Sequence, residues 1–130
     1  MHGHGSASSY YSRRQAVVFE SVTSVALGSA LDGLSLRQRT IANNIANINT
    51  PNYHAKRVQF EDALAASVSA GDGQAAATVT TSQEPTQLNG NNVNLDTETL
   101  SNVDTVLRYQ FASRAIGEQF TALRTAMRTS

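Results

Sequence analysis

Few side chains in this sequence have the type and spacing that catalysis requires. His54 is the only histidine beyond the first four residues. No serine, cysteine or paired acid is placed by the sequence to work with it as a base. Glu61 and Asp62 are adjacent, so on a helix their carboxylates diverge by about 100° and cannot act as a pair. We therefore expect His54 to be an ordinary surface residue and the chain to have no active site.

The sequence predicts no metal and no cofactor. It contains no cysteine, which excludes disulfides, thiolate ligands and a cysteine nucleophile. It also lacks a phosphate-binding glycine loop and the spacing of a zinc site. His2 and His4 would hold a metal only weakly, and a frayed terminus is the favoured interpretation. Residues 89–96 carry oxygen ligands, but their spacing favours a turn followed by a helix cap over a calcium-binding loop.

Charge gives no indication of a nucleic-acid or small-molecule partner. The formal net charge is +0 and charged residues make up 15% of the chain. Arg37, Arg39, Lys56 and Arg57 form a basic cluster, but Arg37 and Arg39 diverge by about 200° on a helix. No aromatic residues are interleaved with them, as single-strand binding would require. A solvated or interface role is the favoured interpretation.

Side-chain amides are the most concentrated chemistry in the chain. Asn43, Asn44, Asn47 and Asn49 fall within seven positions at the end of a helical pattern. Asparagine is a middling helix former, because its amide competes for nearby backbone groups. One interpretation is that these residues cap and terminate the helix. The second, which we favour, is that a row of amides on one face fixes the register of adjacent subunits.

The elements that would carry these amides are two long helices at the ends of the chain. Over residues 17–50 a seam with heptad spacing predicts the first helix. Gly28 and Gly33 weaken it and would permit either a kink or the close approach of a neighbour. Thr50 and Pro51 end it, because proline disfavours helical geometry in the residue before it. The seam consists of Leu27, Leu31, Leu34, Gln38, Ile41, Ile45 and Ile48.

A second helical pattern covers residues 95–130. Asp96 is the expected N-cap. The seam is formed by Val106, Tyr109, Ile116, Phe120, Leu123 and Met127, and we expect Leu100, Val103 and Leu107 to widen it. Residues 1–16 are expected to be disordered. Residues 51–94 are expected to be irregular and mobile, with a short helix near Phe60 and a short strand over residues 78–81.

Two such helices predict an all-α fold, an antiparallel coiled-coil-like hairpin with an irregular middle. A single pair of helices makes a thin core and leaves apolar surface uncovered. Neighbouring copies would supply the missing burial. No apolar run reaches the roughly 20 residues that span a bilayer. The start of the chain lacks the features of a cleavable secretory signal, so we expect export, if it occurs, by another route.

Residues 36–53 carry a long and specific motif that ends in Asn49, Thr50, Pro51, Asn52 and Tyr53. This stretch strongly resembles the N-terminal signature of bacterial flagellar basal-body rod and hook proteins. Within that group, residues 58–64, residues 90–126 and the absence of a large inserted domain are most similar to the proximal rod subunit. Asn52 stands where the family usually has glycine, a mild departure because asparagine tolerates a left-handed turn.

The resemblance implies a structural subunit of the periplasm-spanning rod, with no enzymatic turnover. Such subunits are exported through the flagellar type III apparatus, polymerise helically through their terminal helices, transmit torque and enclose the export channel. It also implies contacts with other rod subunits and with membrane-ring or export-gate adaptors. The expected assembly and motif residues are Leu34, Gln38, Ile41, Asn43, Asn44, Ile45, Asn47, Asn49, Thr50, Pro51, Tyr53, Tyr109, Ile116, Phe120 and Leu123.

Two other functions fit parts of the pattern. One is another axial subunit of the rod or hook type, which would differ from this chain after about residue 95. The other is a soluble helical adaptor or chaperone that binds partner helices without polymerising. Electron microscopy of concentrated protein separates a polymer from an adaptor.

Overall fold

The computed structural model describes residues 3–128, with side chains described at positions 12–14 and from 21 onward. Two long helices dominate the chain, and a short helix and two short strands lie between them. In chain order the elements are α1 (Gly3–Ala46), β1 (Lys56–Gln59), α2 (Glu61–Ser69), β2 (Thr78–Thr81) and α3 (Leu95–Arg128).

Helix α1 begins and ends earlier than the sequence pattern predicts. It starts at Gly3 instead of residue 17, so the helix extends into the segment 1–16 that was expected to be disordered. Residues 1 and 2 lie outside the described chain. It ends at Ala46 instead of residue 50. There the backbone tightens, since the amide of Ile48 donates to the carbonyl of Ile45, three residues back. This turn takes the chain out of the helix before Pro51.

Helices α1 and α3 pack against each other and run antiparallel. The end of α1 meets the start of α3, where Asn44 donates a hydrogen bond to Glu98. Ten residues earlier in α1, Leu34 shares a buried cluster with Ala112, fourteen residues farther along α3. The chain is therefore broadly helical, and the predicted hairpin direction agrees with these contacts.

The fold is not all-α, because β1 and β2 form a two-stranded antiparallel sheet. Lys56 lies opposite Thr81, and Gln59 lies opposite Thr78. The strand at 78–81 was expected from its alternating pattern, whereas β1 was not. Its four residues include two cations and carry little periodic signal. Its partner lies some twenty residues away, so local pattern alone cannot reveal the pairing.

Two faces of α1 are covered by different parts of the chain. The predicted apolar seam packs on the core with α3, and Leu34 and Ile41 are buried. A second face, rotated from the seam by about 140° at Ser29 and Gly33, carries small and polar residues and meets the middle segment. There Ser29 donates a hydrogen bond to the carbonyl of Gly73, and the Phe60 ring lies against Gly33.

Helix α3 also has two faces, and one of them is uncovered. Asn94, not Asp96, caps the helix, since its side-chain oxygen accepts from the amide of Thr97. Glu98, Thr105 and Ala112 recur every seven residues and are buried. Leu100, Val103 and Leu107 do not widen the seam. Together with Phe111 they form an exposed line, which we call the outer stripe of α3.

The contact between Gly33 and Phe60 predicts opposite effects of the same substitution at two glycines. In Gly33→Ala the new Cβ would lie 2.5 Å from the Phe60 ring, so we expect a loss of about 1–3 kcal/mol of folding free energy. Gly28 has nothing within 4 Å. Gly28→Ala should therefore stabilise the helix by up to about 1 kcal/mol. Urea unfolding of both variants measures the difference, and equal effects at the two positions would contradict the packing described.

Candidate functional site

The side-chain amide of Asn44 is fully buried where α1, β1 and α3 meet. Its nitrogen donates to the Lys56 carbonyl at 2.9 Å and to the Glu98 carboxylate at 3.1 Å. Its oxygen accepts from the Lys56 amide at 2.9 Å and from the Tyr53 hydroxyl at 3.2 Å. An asparagine amide offers two donors and two acceptor positions, so every one of them is used.

Asn44 acts as a substitute for a neighbouring strand. The amide of Ser82 donates to the carbonyl of Ala55, which makes these two a hydrogen-bonded pair in the antiparallel ladder. Because such pairs alternate, the backbone groups of Lys56 point away from β2, toward the outer edge of β1. Asn44 satisfies both of them. Two residues along, Arg37 donates to the outward carbonyl of Val58 at 2.7 Å. Helix α1 thus covers an edge that would otherwise be open.

Two further asparagines, Asn91 and Asn92, fix the segment that leads into α3. Asn91 is fully buried and donates to the carbonyls of Asn47 and Thr50, both at 2.8 Å, which satisfies acceptors left by the end of α1. Asn92 accepts from the amide of Ala55 at 2.6 Å and donates to the carbonyl of Ser82 at 3.1 Å. The Asn92 amide therefore lies between the amide of Ala55 and the carbonyl of Ser82, in place of the direct backbone hydrogen bond that would continue the ladder.

The sequence interpretation treated residues 89–92 as a turn alone and missed this role. The signal that could have revealed it is the number of asparagines. A turn needs one or two, whereas Asn89, Asn91, Asn92 and Asn94 all fall within six positions. Asn89 lies in the same region, residues 43–53 and 89–92, which we call the amide corner. Its carbonyl accepts from the amide of Asn52 at 2.9 Å.

Asn52 makes the turn that brings Tyr53 back to Asn44. Its φ of 61° lies in the left-handed region, which asparagine tolerates better than most residues. Asn52 thus adopts the left-handed turn that was expected at this position. Gly90 packs against Asn52, and its own φ of 80° is one that glycine adopts without strain. The two turns at the corner are thus built around each other.

Electrostatic pairs brace the same corner. Arg57 donates to the buried Glu98 carboxylate at 2.6 Å, so a charge without access to water is both paired and hydrogen-bonded. Arg37 binds Glu61 through two hydrogen bonds of 2.8 and 2.6 Å, and its guanidinium lies 4.9 Å from the centre of the Phe60 ring. Two of the four residues in the predicted basic cluster therefore serve internal contacts.

The Arg37 hydrogen bond lowers the pKa of Glu61 below the usual value of 4.5, and partial burial opposes that effect. Arg108 on α3 lies 3.6 Å from the same carboxylate and also binds Asp104 at 2.8 Å. Glu61 thus links α1 and α3 at the start of α2. Because 42% of its side chain is exposed, solvent screens much of this interaction.

The structure divides the predicted motif residues into an internal and an external set. Asn44 and the seam residues Leu34 and Ile41 are buried. The partly covered set comprises Gln38, Ile45, Asn47, Tyr53, Ile116 and Leu123. The exposed set comprises Asn43, Asn49, Thr50, Pro51, Tyr109 and Phe120. The predicted surface position of His54 is confirmed.

Other kinds of site receive no support from the described residues. Within residues 3–128 no helix combines the length and apolar character needed to cross a bilayer. Among the side chains that the structure describes, no group of three or more His, Cys, Asp or Glu is placed to hold a metal ion. A shallow polar cleft of about 320 Å³ lies beside Arg57 and the turn at Pro85.

Comparisons with known proteins place Asn44 and the turn that follows it inside a family signature. Residues 26–54 match the family model described as "Flagella basal body rod protein". The chain is 31% identical over 115 residues to the flagellar basal body rod protein FlgB of Bacillus subtilis, covering 78% of this chain and 89% of that protein. FlgB of Borreliella burgdorferi is 56% identical over 34 residues, covering 26% of this chain and 25% of that protein.

The four hydrogen bonds of Asn44 predict a large effect of removing its amide. Asn44→Leu leaves the backbone groups of Lys56 and one oxygen of Glu98 without a partner, so we expect a loss of about 3 kcal/mol of folding free energy. Asn43→Leu places the same residue at an exposed neighbouring position and should change stability by less than about 0.5 kcal/mol. Chemical denaturation compares the two, and similar midpoints for both variants would refute the assignment.

The lowered pKa of Glu61 predicts that its contribution to stability depends on pH. A carboxylate with a depressed folded-state pKa stabilises the fold above its unfolded pKa, and this contribution is lost as the pH falls through the folded-state pKa. Glu61→Gln should therefore be less stable than the wild type at pH 7 and equal to it in acid, well below pH 4.5. Thermal unfolding across that range measures the gap. A gap that stays constant with pH, or that the exposed neighbour Asp62→Asn reproduces, would contradict it.

Proposed function

The chain belongs to the FlgB family of flagellar basal body rod proteins, and from that premise we propose how its structure serves the rod. The protein is a structural subunit of the proximal rod of the flagellar basal body. We propose that it polymerises helically through its terminal helices, transmits torque and encloses the export channel. The observation that carries this proposal is the apolar surface that α3 leaves exposed after it has packed on α1.

That exposed surface is extensive for so small a chain. Large apolar side chains are exposed along both the outer stripe and the seam of α3, among them Tyr109, Phe120 and Met127. The buried apolar cluster, by contrast, centres on Leu34, Val58, Phe60 and Ala112. Contiguous exposed apolar surface commonly marks a protein–protein interface. Contact with neighbouring subunits would complete this core, as packing within a coiled-coil-like tube requires.

The external residues of the amide corner are proposed contacts between subunits. Asn43 and Asn49 expose their amides, and Thr50 and Pro51 form the exposed tip of the turn. The internal network holds this tip in place, so it would be presented to a neighbour in one conformation and at little entropic cost. The buried Asn44 contributes indirectly, by holding the turn that displays the others.

Assembly with other rod proteins follows from the family. Contacts with membrane-ring or export-gate adaptors at one end of the rod, and export without a cleavable signal peptide, are further parts of the proposal. Both derive from the resemblance of the motif to the family signature. We also propose that the chain divides functionally at residues 16, 50 and 94, so that the segment 51–94 links two helices that assemble with neighbouring subunits.

Deleting the gene in the bacterium that encodes this chain tests the function. We expect cells without motility in soft agar, whose basal bodies contain membrane rings but no rod in electron micrographs. A plasmid copy should restore both. Asn44→Leu should restore them poorly and His54→Leu, at an exposed residue with no proposed contact, should restore them better, because only the former breaks the internal network. Deleted cells that still build rods and swim would overturn the proposed function.

A further inference from the structure

The outer stripe of α3 lies on the side of the helix that the rest of the chain leaves open. Three of its four residues are two positions from a buried one: Leu100 from Glu98, and Val103 and Leu107 from Thr105. Two residues rotate a helix by about 200°, so the stripe faces almost directly away from the packed side. Its exposure is high: Leu100 73%, Val103 54%, Leu107 60% and Phe111 76%.

The stripe has the extent of a specific contact surface. It runs for about 16 Å along the helix at 1.5 Å per residue. The four side chains expose on the order of 500 Å² together, a patch size that on single-chain proteins is often functional. Covering the same patch on two copies would bury roughly 1,000 Å², which is at the lower end of specific interfaces and typical of weak, reversible ones.

Opposite charges bound the stripe at its two ends. Asp96 lies four residues before Leu100, and Arg114 lies seven residues after Leu107, so both continue the same line on the helix. Both are exposed, and within the described part of the chain neither forms an ion pair with another side chain. From Asp96 to Arg114 the line is therefore acidic, then apolar, then basic in the direction of the chain; the exposed Glu118 follows one turn later.

This charge order selects an antiparallel copy of the same helix as the occupant. When Val103 of one copy lies opposite Leu107 of the other, Asp96 of each copy lies opposite Arg114 of its neighbour. A two-fold axis generates this favourable pair twice. A parallel arrangement would instead place Asp96 against Asp96 and Arg114 against Arg114, which repel. The apolar residues meet in either arrangement, so the charges decide between them.

We propose that a second copy of this chain docks antiparallel on the outer stripe of α3 and forms a closed two-fold dimer. An isologous contact closes on itself and cannot propagate a polymer. The dimer is therefore distinct from the contacts that build the rod. It gives a subunit outside the rod a way to cover its apolar surface, and it must dissociate before that surface can meet other rod subunits.

Sedimentation equilibrium of the purified full chain tests the dimer. From roughly 1 µM to 1 mM we expect a monomer–dimer equilibrium with a Kd in the micromolar range. Leu107→Glu should leave only monomer, because it buries a charge in the contact. Leu88→Glu, at an exposed leucine outside α3, should leave the Kd unchanged. Circular dichroism confirms that both variants keep their helices.

Charge reversal tests the register. Asp96→Arg and Arg114→Asp should each raise the dimer Kd by about tenfold. The double variant restores the pairs in reversed order and should return the Kd to within about twofold of the wild type. A double variant no tighter than the single ones would overturn the antiparallel register.

The absence of cysteines allows a direct test of the geometry. Val103→Cys and Leu107→Cys each introduce a single thiol. In a mixture of the two variants under mild oxidation, the antiparallel dimer predicts that the mixed disulfide dominates. A parallel pair would give the two self-linked products.

Three results would overturn the proposal. They are a wild type that stays monomeric at every concentration, an association that grows beyond two copies into open polymers, and equal dimerisation of Leu107→Glu. None of these bears on whether the gene is needed for the rod. Failure of the dimer and failure of the proposed function are therefore distinguishable.

Discussion

A buried amide must have every donor and acceptor paired, and this constraint at Asn44 organises the chain. Burying an unpaired amide costs roughly 1–3 kcal/mol per group, so the position can exist only if four partners converge on it. The partners come from three directions: the backbone of β1, the hydroxyl of Tyr53 and the carboxylate of Glu98. The end of α1, the turn, the sheet and the start of α3 are thereby fixed with respect to one another.

The long helices and their directions could be predicted from the sequence because apolar spacing is a local signal. Apolar spacing predicted both the buried seam through Leu34 and Ile41 and the strand at 78–81. Strand β1 was not, because its outer edge is completed by side chains of α1 that lie more than ten residues away. The outer stripe was misassigned for a different reason. Apolar residues on opposite sides of a helix look alike until one side is known to be covered.

The asparagines show the same limit. Their clustering indicated that amides mattered, and the sequence favoured contacts between subunits. The structure places the Asn44 amide inside the chain and exposes its neighbours Asn43 and Asn49. The asparagines of this motif therefore have two roles: the buried amide of Asn44 holds the turn, and the exposed amides lie on the surface that the turn presents. A rod subunit needs both, because a loosely held corner would present its contact residues in many conformations at an entropic cost.

Amide hydrogen exchange shows whether Asn44 replaces a strand at the outer edge of β1. The amides of Lys56 on β1 and Val79 on β2 both point away from the partner strand, and only the former has a hydrogen-bond acceptor in Asn44. We predict that the Lys56 amide exchanges much more slowly than the Val79 amide, and that Asn44→Ala removes this difference. Equal exchange at the two positions in the wild-type protein would contradict the account.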